Sequence, residues 1–156
     1  QDILFPIQQL EEMAIRALSP GINDPRTAIE CLDHLTASIS ILARRPQPAE
    51  LLEDEAGTPR IQFRQHAFEK ILREAYQQIH HHGQTDLQLV ERVLIVLHKL
   101  RKQSALAPER AEQIETLIDE LYDKSSQSMA YHGDREKLTQ IYQKIRPETD
   151  TAETNA

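Results

Sequence analysis

Tryptophan is absent from this chain, cysteine occurs once, and only 4% of the 156 residues are aromatic. With Cys31 alone, no internal disulfide can close and no multi-cysteine zinc site can assemble. That usage is compatible with the reducing side of a membrane. The scarcity of aromatic rings leaves little for stacking recognition of bases or sugars. Positive charge is also short, with 18 Lys and Arg against 25 Asp and Glu, for a formal net charge of -7. The basic residues are dispersed, and Arg44-Arg45 is too small for a phosphate-tracking stripe, so no nucleic-acid partner is expected. Long apolar runs are missing as well. The longest unbroken one is Val93 to Leu97, far short of the roughly 20 residues that cross a bilayer. No signal peptide is recognisable.

What remains is an amphipathic helical pattern. Apolar residues make up 39% of the chain and the mean hydropathy is -0.56, as expected of helices with one wet face each. The length suits one domain with its own core. The first helix is expected from about Leu4 to Leu18. Ile3, Ile7, Leu10, Ala14 and Ala17 form its seam, and Pro6 fits only its first turn. A second helix is expected from Pro25 to about Arg44, with Ala28, Leu32, Leu35, Ile39 and Leu42 on its seam. A third runs from Arg64 to about His81, with Phe68, Ile71, Leu72, Ala75 and Ile79 inward and Gly83 as its C-cap. Thr85-Asp86-Leu87-Gln88 resembles a capping box for a fourth helix, Asp86 to about Lys102. Its apolar residues cover much of its circumference, which makes it the central helix. Pro108 opens a fifth that reaches about Tyr131. Gly133 closes it and Asp134 caps a sixth, Arg135 to Ile145. The fold class is therefore all-α, a bundle of about six helices over residues 1–146. At most one short β-hairpin is expected in the 46–63 connection, where Ala49–Leu52 and Arg60–Phe63 either pair across Gly57 or form a plain surface loop. Residues 147–156 lack an apolar anchor and are expected to be disordered.

The least ordinary stretch is Ser19-Pro20-Gly21-Ile22-Asn23-Asp24-Pro25-Arg26-Thr27. Pro20 disfavours helix at Ser19, and Gly21 tolerates positive φ. Asp24 is a good N-cap, with Pro25 at the first helical position. Two antiparallel helices therefore meet at a short, stiff corner. Around it, Gln9-Leu10, Ala14 and the run Arg16-Ala17-Leu18-Ser19-Pro20-Gly21-Ile22-Asn23-Asp24-Pro25, followed by Thr27-Ala28, resemble the signature of the bacterial predicted membrane proteins called domain of unknown function 2254. The tight part spans about twenty residues; Asp54, Gly57 and Arg60 and the later helices are similar more loosely. The start of the chain, Leu4-Phe5-Pro6-Ile7, departs from the small residue and glycine of the family pattern. The resemblance implies that transmembrane helices of the full-length protein precede this region. It also implies a bacterial inner-membrane location and a soluble, cytoplasmic placement for this part. The chain opens on Gln1 rather than Met and enters an apolar pattern at once, which agrees with a piece of a longer protein. The expected partners are the transmembrane part of its own chain and further copies of itself. The family carries no assigned activity, so no catalytic residues transfer.

Arg16, Ser19, Asn23, Asp24, Arg26 and Thr27 gather polar groups at a helix N-terminus, where free N–H groups and the dipole favour an anion. A small anionic ligand or a lipid headgroup fits that reading. The competing reading has Asp24 fill the cap itself while Arg16 braces the corner. His80-His81-His82 are adjacent, and neighbours on a helix point about 100° apart, so they cannot face one metal together. One of them joining His66 or His98 has no motif behind it, and surface histidines near a helix C-terminus are the better reading. Cys31 has His34 one turn on, yet no oxyanion hole is recognisable, and a small core residue is the better reading. Glu11-Glu12, Glu53-Asp54-Glu55 and Asp119-Glu120 read as solvated faces. No phosphate loop, nucleophile elbow or kinase motif occurs, so no metal or cofactor is expected, and the lack of a catalytic motif leans against an enzyme without deciding it. The function these features favour is an accessory domain of a membrane protein that acts by protein contact or oligomerisation. The alternative is a sensor of a small anion at the Ser19–Thr27 corner.

Overall fold

Pro25 and Pro108 open two of the helices and Asp86 caps a third. A computed structural model describes residues 4–44, 51–53, 59–62, 68–104 and 107–146. Among them lie helices α1 (Leu4–Ala17), α2 (Pro25–Arg44), α3 (Phe68–Gly83), α4 (Leu87–Gln103), α5 (Pro108–Ser128) and α6 (His132–Ile145). One antiparallel pair of short strands, β1 (Leu51–Glu53) and β2 (Pro59–Gln62), lies between α2 and α3 in the chain. The molecule is an all-α helical bundle, and the strand pair is a minor addition to it.

The seams expected from the sequence form the core. Ile7, Ala14 and Ala17 of α1 are buried, as are Ala28, Leu32, Leu35 and Ile39 of α2 and all five inward positions of α3. Pro25 and Pro108 each stand at the first residue of their helix, where the missing N–H costs nothing. Helix α4 packs against α2, α3, α5 and α6. Helix α3 shares the centre with it and packs against α1, α2, α4 and α5. Two residues outside the expected seam make that possible, because Tyr76 and His80 are both buried. The Tyr76 hydroxyl lies 2.9 Å from Thr36 Oγ1 on α2. Thr36 donates its own hydroxyl proton to the Leu32 carbonyl, so Tyr76 is the donor of that bond.

Several boundaries differ from the expected ones. Helix α4 is capped by Asp86, whose side chain accepts from the Leu89 N–H at 3.0 Å; Thr85 is not the cap. Gly83 is the last residue of α3 and is not left-handed. A Cβ there would lie 1.9 Å from Leu89 Cδ2, so glycine is required by the close approach of α4. Helix α5 ends at Ser128 rather than Tyr131, because Met129 takes extended backbone and is itself buried. Helix α6 begins at His132, with Tyr131 as an N-cap that makes no side-chain cap bond. Gly133 and Asp134 therefore lie inside its first turn. The hairpin takes the place of a plain loop, with Leu51 opposite Gln62, Leu52 opposite Ile61 and Glu53 opposite Pro59, and a bulge between Leu52 and Glu53. The expected start of the third helix at Arg64, the turn at Gly57 and the tail 147–156 lie outside the described residues.

Arginines tie the bundle at its joints. Arg92 of α4 makes two bonds to Asp33 of α2, at 2.8 and 2.6 Å. Arg73 of α3 grips both oxygens of Glu120 on α5, at 2.8 and 3.0 Å. Arg101 of α4 donates to Glu115 of α5 at 2.5 Å and to the Ile145 carbonyl at the end of α6 at 3.3 Å. Arg110 of α5 donates to the Leu42 and Ala43 carbonyls in the last turn of α2. Carbonyls at a helix end lack intrahelical partners, so these last bonds satisfy acceptors that would otherwise depend on water.

Candidate functional site

The corner between α1 and α2 is built mainly from backbone. Past Ala17 the chain tightens through bonds from the Ser19 N–H to the Arg16 carbonyl at 3.2 Å and from the Asn23 N–H to the Ser19 carbonyl at 2.8 Å. The Asp24 N–H then reaches back to the Ala17 carbonyl at 2.8 Å. The left-handed residue is Asn23, with φ 50°, and not Gly21. Asparagine visits that region more readily than most residues because its short side chain can bond locally.

Asp24 then occupies the start of α2. Its carboxylate accepts the Thr27 N–H at 3.2 Å and the Thr27 hydroxyl at 2.6 Å. The Thr27 side chain, then its backbone, holds the Asp24 carboxyl below the usual carboxylate range. An incoming anion would meet this charge where it needs free N–H groups. Of the other candidates, Arg26 adds a smaller pull on that carboxylate through its backbone and its charge. Arg26 is exposed and lies 3.5 Å from Glu30 on its own helix. Arg16 is exposed and makes no side-chain hydrogen bond or ion pair among the described residues. Asn23 is exposed and Ser19 half-buried. The structure thus joins Asp24 to Thr27 and leaves Arg16 facing solvent.

The histidines scatter. His80 is 1% exposed, with Nε2 2.6 Å from Ser125 Oγ on α5. Burial pushes it down to about 4, against a smaller opposing effect of the Leu121 carbonyl. His81 and His82 are exposed and meet edge to face, and His82 Nδ1 lies 2.9 Å from the Gln78 carbonyl. His98 Nδ1 accepts from Arg101 at 3.2 Å. Burial, then Arg101 and Lys102, push His98 down. His66 lies outside the described residues. Cys31 is buried, and its thiol is pushed up by that burial and then by Glu30, the reverse of what a nucleophile needs. Among the described residues no three His, Cys, Asp or Glu side chains converge as metal ligands.

Two acidic pairs are less solvated than their sequence implied. Glu120 is held by Arg73, and Asp119 accepts the Tyr142 hydroxyl at 2.5 Å and an Arg146 N–H at 3.2 Å. Tyr142 stacks on Tyr122 with centroids 3.8 Å apart, so α5 and α6 meet through an aromatic and ionic joint. Glu11 is half-buried while Glu12 is exposed. Glu11 of α1 and Lys70, Arg73 and Glu74 of α3 line a groove of about 390 Å³. Burial, then Glu74 and Glu12, push the Glu11 carboxyl up.

Outside these clusters, Phe5 and Met13 of α1 stand 61% and 54% exposed. The opposite side of that helix packs against α2 and α3. No helix among the described residues is long and apolar enough to cross a membrane.

No solved structure matches this chain. It is 33% identical over 135 residues to uncharacterized proteins of Mycobacterium bovis and Mycobacterium tuberculosis. That alignment covers 86% of this chain and 26% of each relative, so the chain spans about a quarter of the length of the curated proteins it matches. A model of the family described as predicted membrane protein (DUF2254) matches residues 1–99. With more than half of its length matched, the chain belongs to the predicted membrane protein family DUF2254.

Proposed function

We infer that this chain is an accessory domain of a predicted membrane protein and works by protein contact through the outer face of α1. The observation that carries this reading is the division of α1 into two faces. Ile7, Ala14 and Ala17 are buried in the bundle, while Phe5 and Met13 are offered to solvent. Single exposed apolar residues are ordinary; two large ones on the helix that opens the bundle are the best-placed contact surface available. The relatives are about four times longer than the matched region, so the contact is to the remainder of the same polypeptide or to a second copy of it. A tilt or rotation of α1 would pass into the bundle through its packing on α2 and α3. The family's description as predicted membrane proteins supports a membrane location for the whole polypeptide, and we assign this domain to the cytoplasmic side of a bacterial inner membrane, a placement with which the lone Cys31 is compatible.

The test is crosslinking in membranes carrying the longer polypeptide. Cysteines introduced at Phe5 or Met13 should crosslink to that polypeptide, whereas one introduced at the exposed Lys137 of α6 should not. Equal labelling at all three positions, or crosslinking at none, would overturn the reading.

A further inference from the structure

The groove between α1 and α3 holds two carboxylates, one of which has an oxygen that its surroundings leave unsatisfied. Glu74 Oε1 lies 3.7 Å from Lys70 Nζ, an ion pair open to solvent. Its other oxygen, Oε2, is shut off from water and has no hydrogen-bond partner among the described residues. A buried acceptor of that kind costs free energy until a donor reaches it. Across the groove stands Glu11, half-buried on α1 and close enough for the two charges to oppose each other.

We propose that Glu11 and Glu74 form a proton-operated latch between α1 and α3. A proton taken from solvent by the Glu11 carboxylate makes an O–H, and that O–H donates to Glu74 Oε2. One proton then removes a repulsion and satisfies the orphaned acceptor, so mild acid tightens α1 onto α3 and neutral pH loosens it. The raised position of the Glu11 carboxyl has the sign this requires, since the folded state then holds the proton more tightly than the unfolded chain.

The other charged groups on the three helices α1, α2 and α3 are paired with residues other than Glu11 or face solvent. On α3, Arg73 is held by Glu69 at 2.9 Å and by Glu120 of α5, and Lys70 already faces Glu74 Oε1. On α1, Glu12 adds a weaker repulsion to Glu11. On α2, Asp33 is held by Arg92 of α4, Arg26 and Glu30 pair at the surface, and His34 and Arg44 are exposed. Among the described residues no cation is paired with Glu11, and the proton is the counter-charge this proposal assigns to it. The latch stands independently of what the outer face of α1 touches.

The test is thermal unfolding of the chain between pH 4 and pH 8 at constant ionic strength. Parent, Glu11→Gln, Glu74→Gln and Glu12→Gln are compared. An amide at position 11 supplies the donor permanently, so Glu11→Gln should melt several degrees above the parent at pH 7.5. That gap should close as the pH falls towards 4.5 and the parent acquires its own proton. Glu74→Gln should show the same convergence from the other side of the groove. Glu12→Gln changes the net charge equally and should show little gap at any pH. The proposal is overturned if Glu11→Gln and Glu12→Gln move Tm alike across the range. It is also overturned if both groove variants melt at or below the parent at pH 7.5.

Discussion

His80 on α3 and Ser125 on α5 are 45 residues apart in sequence and meet at 2.6 Å with both side chains out of reach of solvent. The pair joins two helices at a point where a charged imidazole has no water to stabilise it. The folded state keeps the ring neutral down to about 4, whereas an unfolded histidine takes its proton near 6.5. Between those values the unfolded chain binds more protons, so stability is lost as the pH falls from about 6.5 to about 4. The loss should reach up to about 3 kcal/mol at the acid end. Urea midpoints at pH 7 and pH 4.5 should show it in the parent, and His80→Gln should flatten the profile across that window. An unchanged profile in the variant would assign the acid sensitivity to other groups. The Glu11 latch acts in the opposite direction, which is why its test compares variants at each pH rather than following the parent alone.

Gly83 and Leu89 make a second joint, between the end of α3 and the start of α4. A methyl group at position 83 would overlap the Leu89 side chain, and Leu89 is fully buried and cannot swing into solvent. Gly83→Ala should therefore destabilise by about 1–3 kcal/mol through overpacking, although alanine is the better helix former. Combined with Leu89→Ala, the two changes should cost clearly less than their sum, because each relieves the other. Strict additivity in urea unfolding would show that the contact is not what demands glycine.

Arg101 joins three helices through Glu115, the Ile145 carbonyl and His98 Nδ1, with only 14% of its side chain exposed. Removing it strands a mostly buried carboxylate and a helix-end carbonyl together. Arg101→Leu should cost about 1–3 kcal/mol, and Glu115→Gln in the same background should restore part of the loss. Without any recovery, the coupling to Glu115 would be negligible, as it is for most exposed ion pairs.

What could be foreseen here, and what could not, follows from the range over which each interaction acts. Pro25, Pro108 and Asp24 mark helix starts by local chemistry, and the 3.6-residue spacing of Leu32, Leu35 and Ile39 identifies a buried face without knowing what covers it. The sequence reads His80 as a surface histidine and gives no sign of Tyr76 as core, because both side chains look polar in isolation, yet both are buried. Their burial depends on Thr36 and Ser125, which lie 40 and 45 residues away. The joint between α5 and α6 was misplaced for a related reason. Glycine and aspartate at 133 and 134 mimic a stop and a cap, but the chain leaves helix at Met129, which is extended and buried. At the corner the resemblance draws attention to the run from Arg16 to Thr27, within which the structure joins Asp24 to Thr27. Which of them touch, Asp24 with Thr27 and neither with Arg16, is set by backbone geometry that composition does not encode.

That corner supplies the last prediction, since its two prominent charged residues sit in opposite circumstances. Asp24 caps α2 by two bonds to Thr27, while Arg16 faces solvent. Asp24→Ala should lower the urea midpoint visibly, Asp24→Asn should recover most of the loss as an equivalent cap, and Arg16→Ala should stay within about 0.5 kcal/mol. Because the folded Asp24 carboxyl is held below its ordinary range, its contribution is complete above an unfolded value of about 4 and is lost as the pH falls below it. The difference between parent and Asp24→Ala should therefore shrink only in strong acid. Added phosphate provides the functional counterpart, because a ligand that binds the folded state must raise Tm. With Asp24 already at the helix start, phosphate should leave Tm unchanged in both parent and Arg16→Ala. A rise in the parent that disappears in Arg16→Ala would make the corner an anion sensor and displace contact through α1 as the reading of this domain.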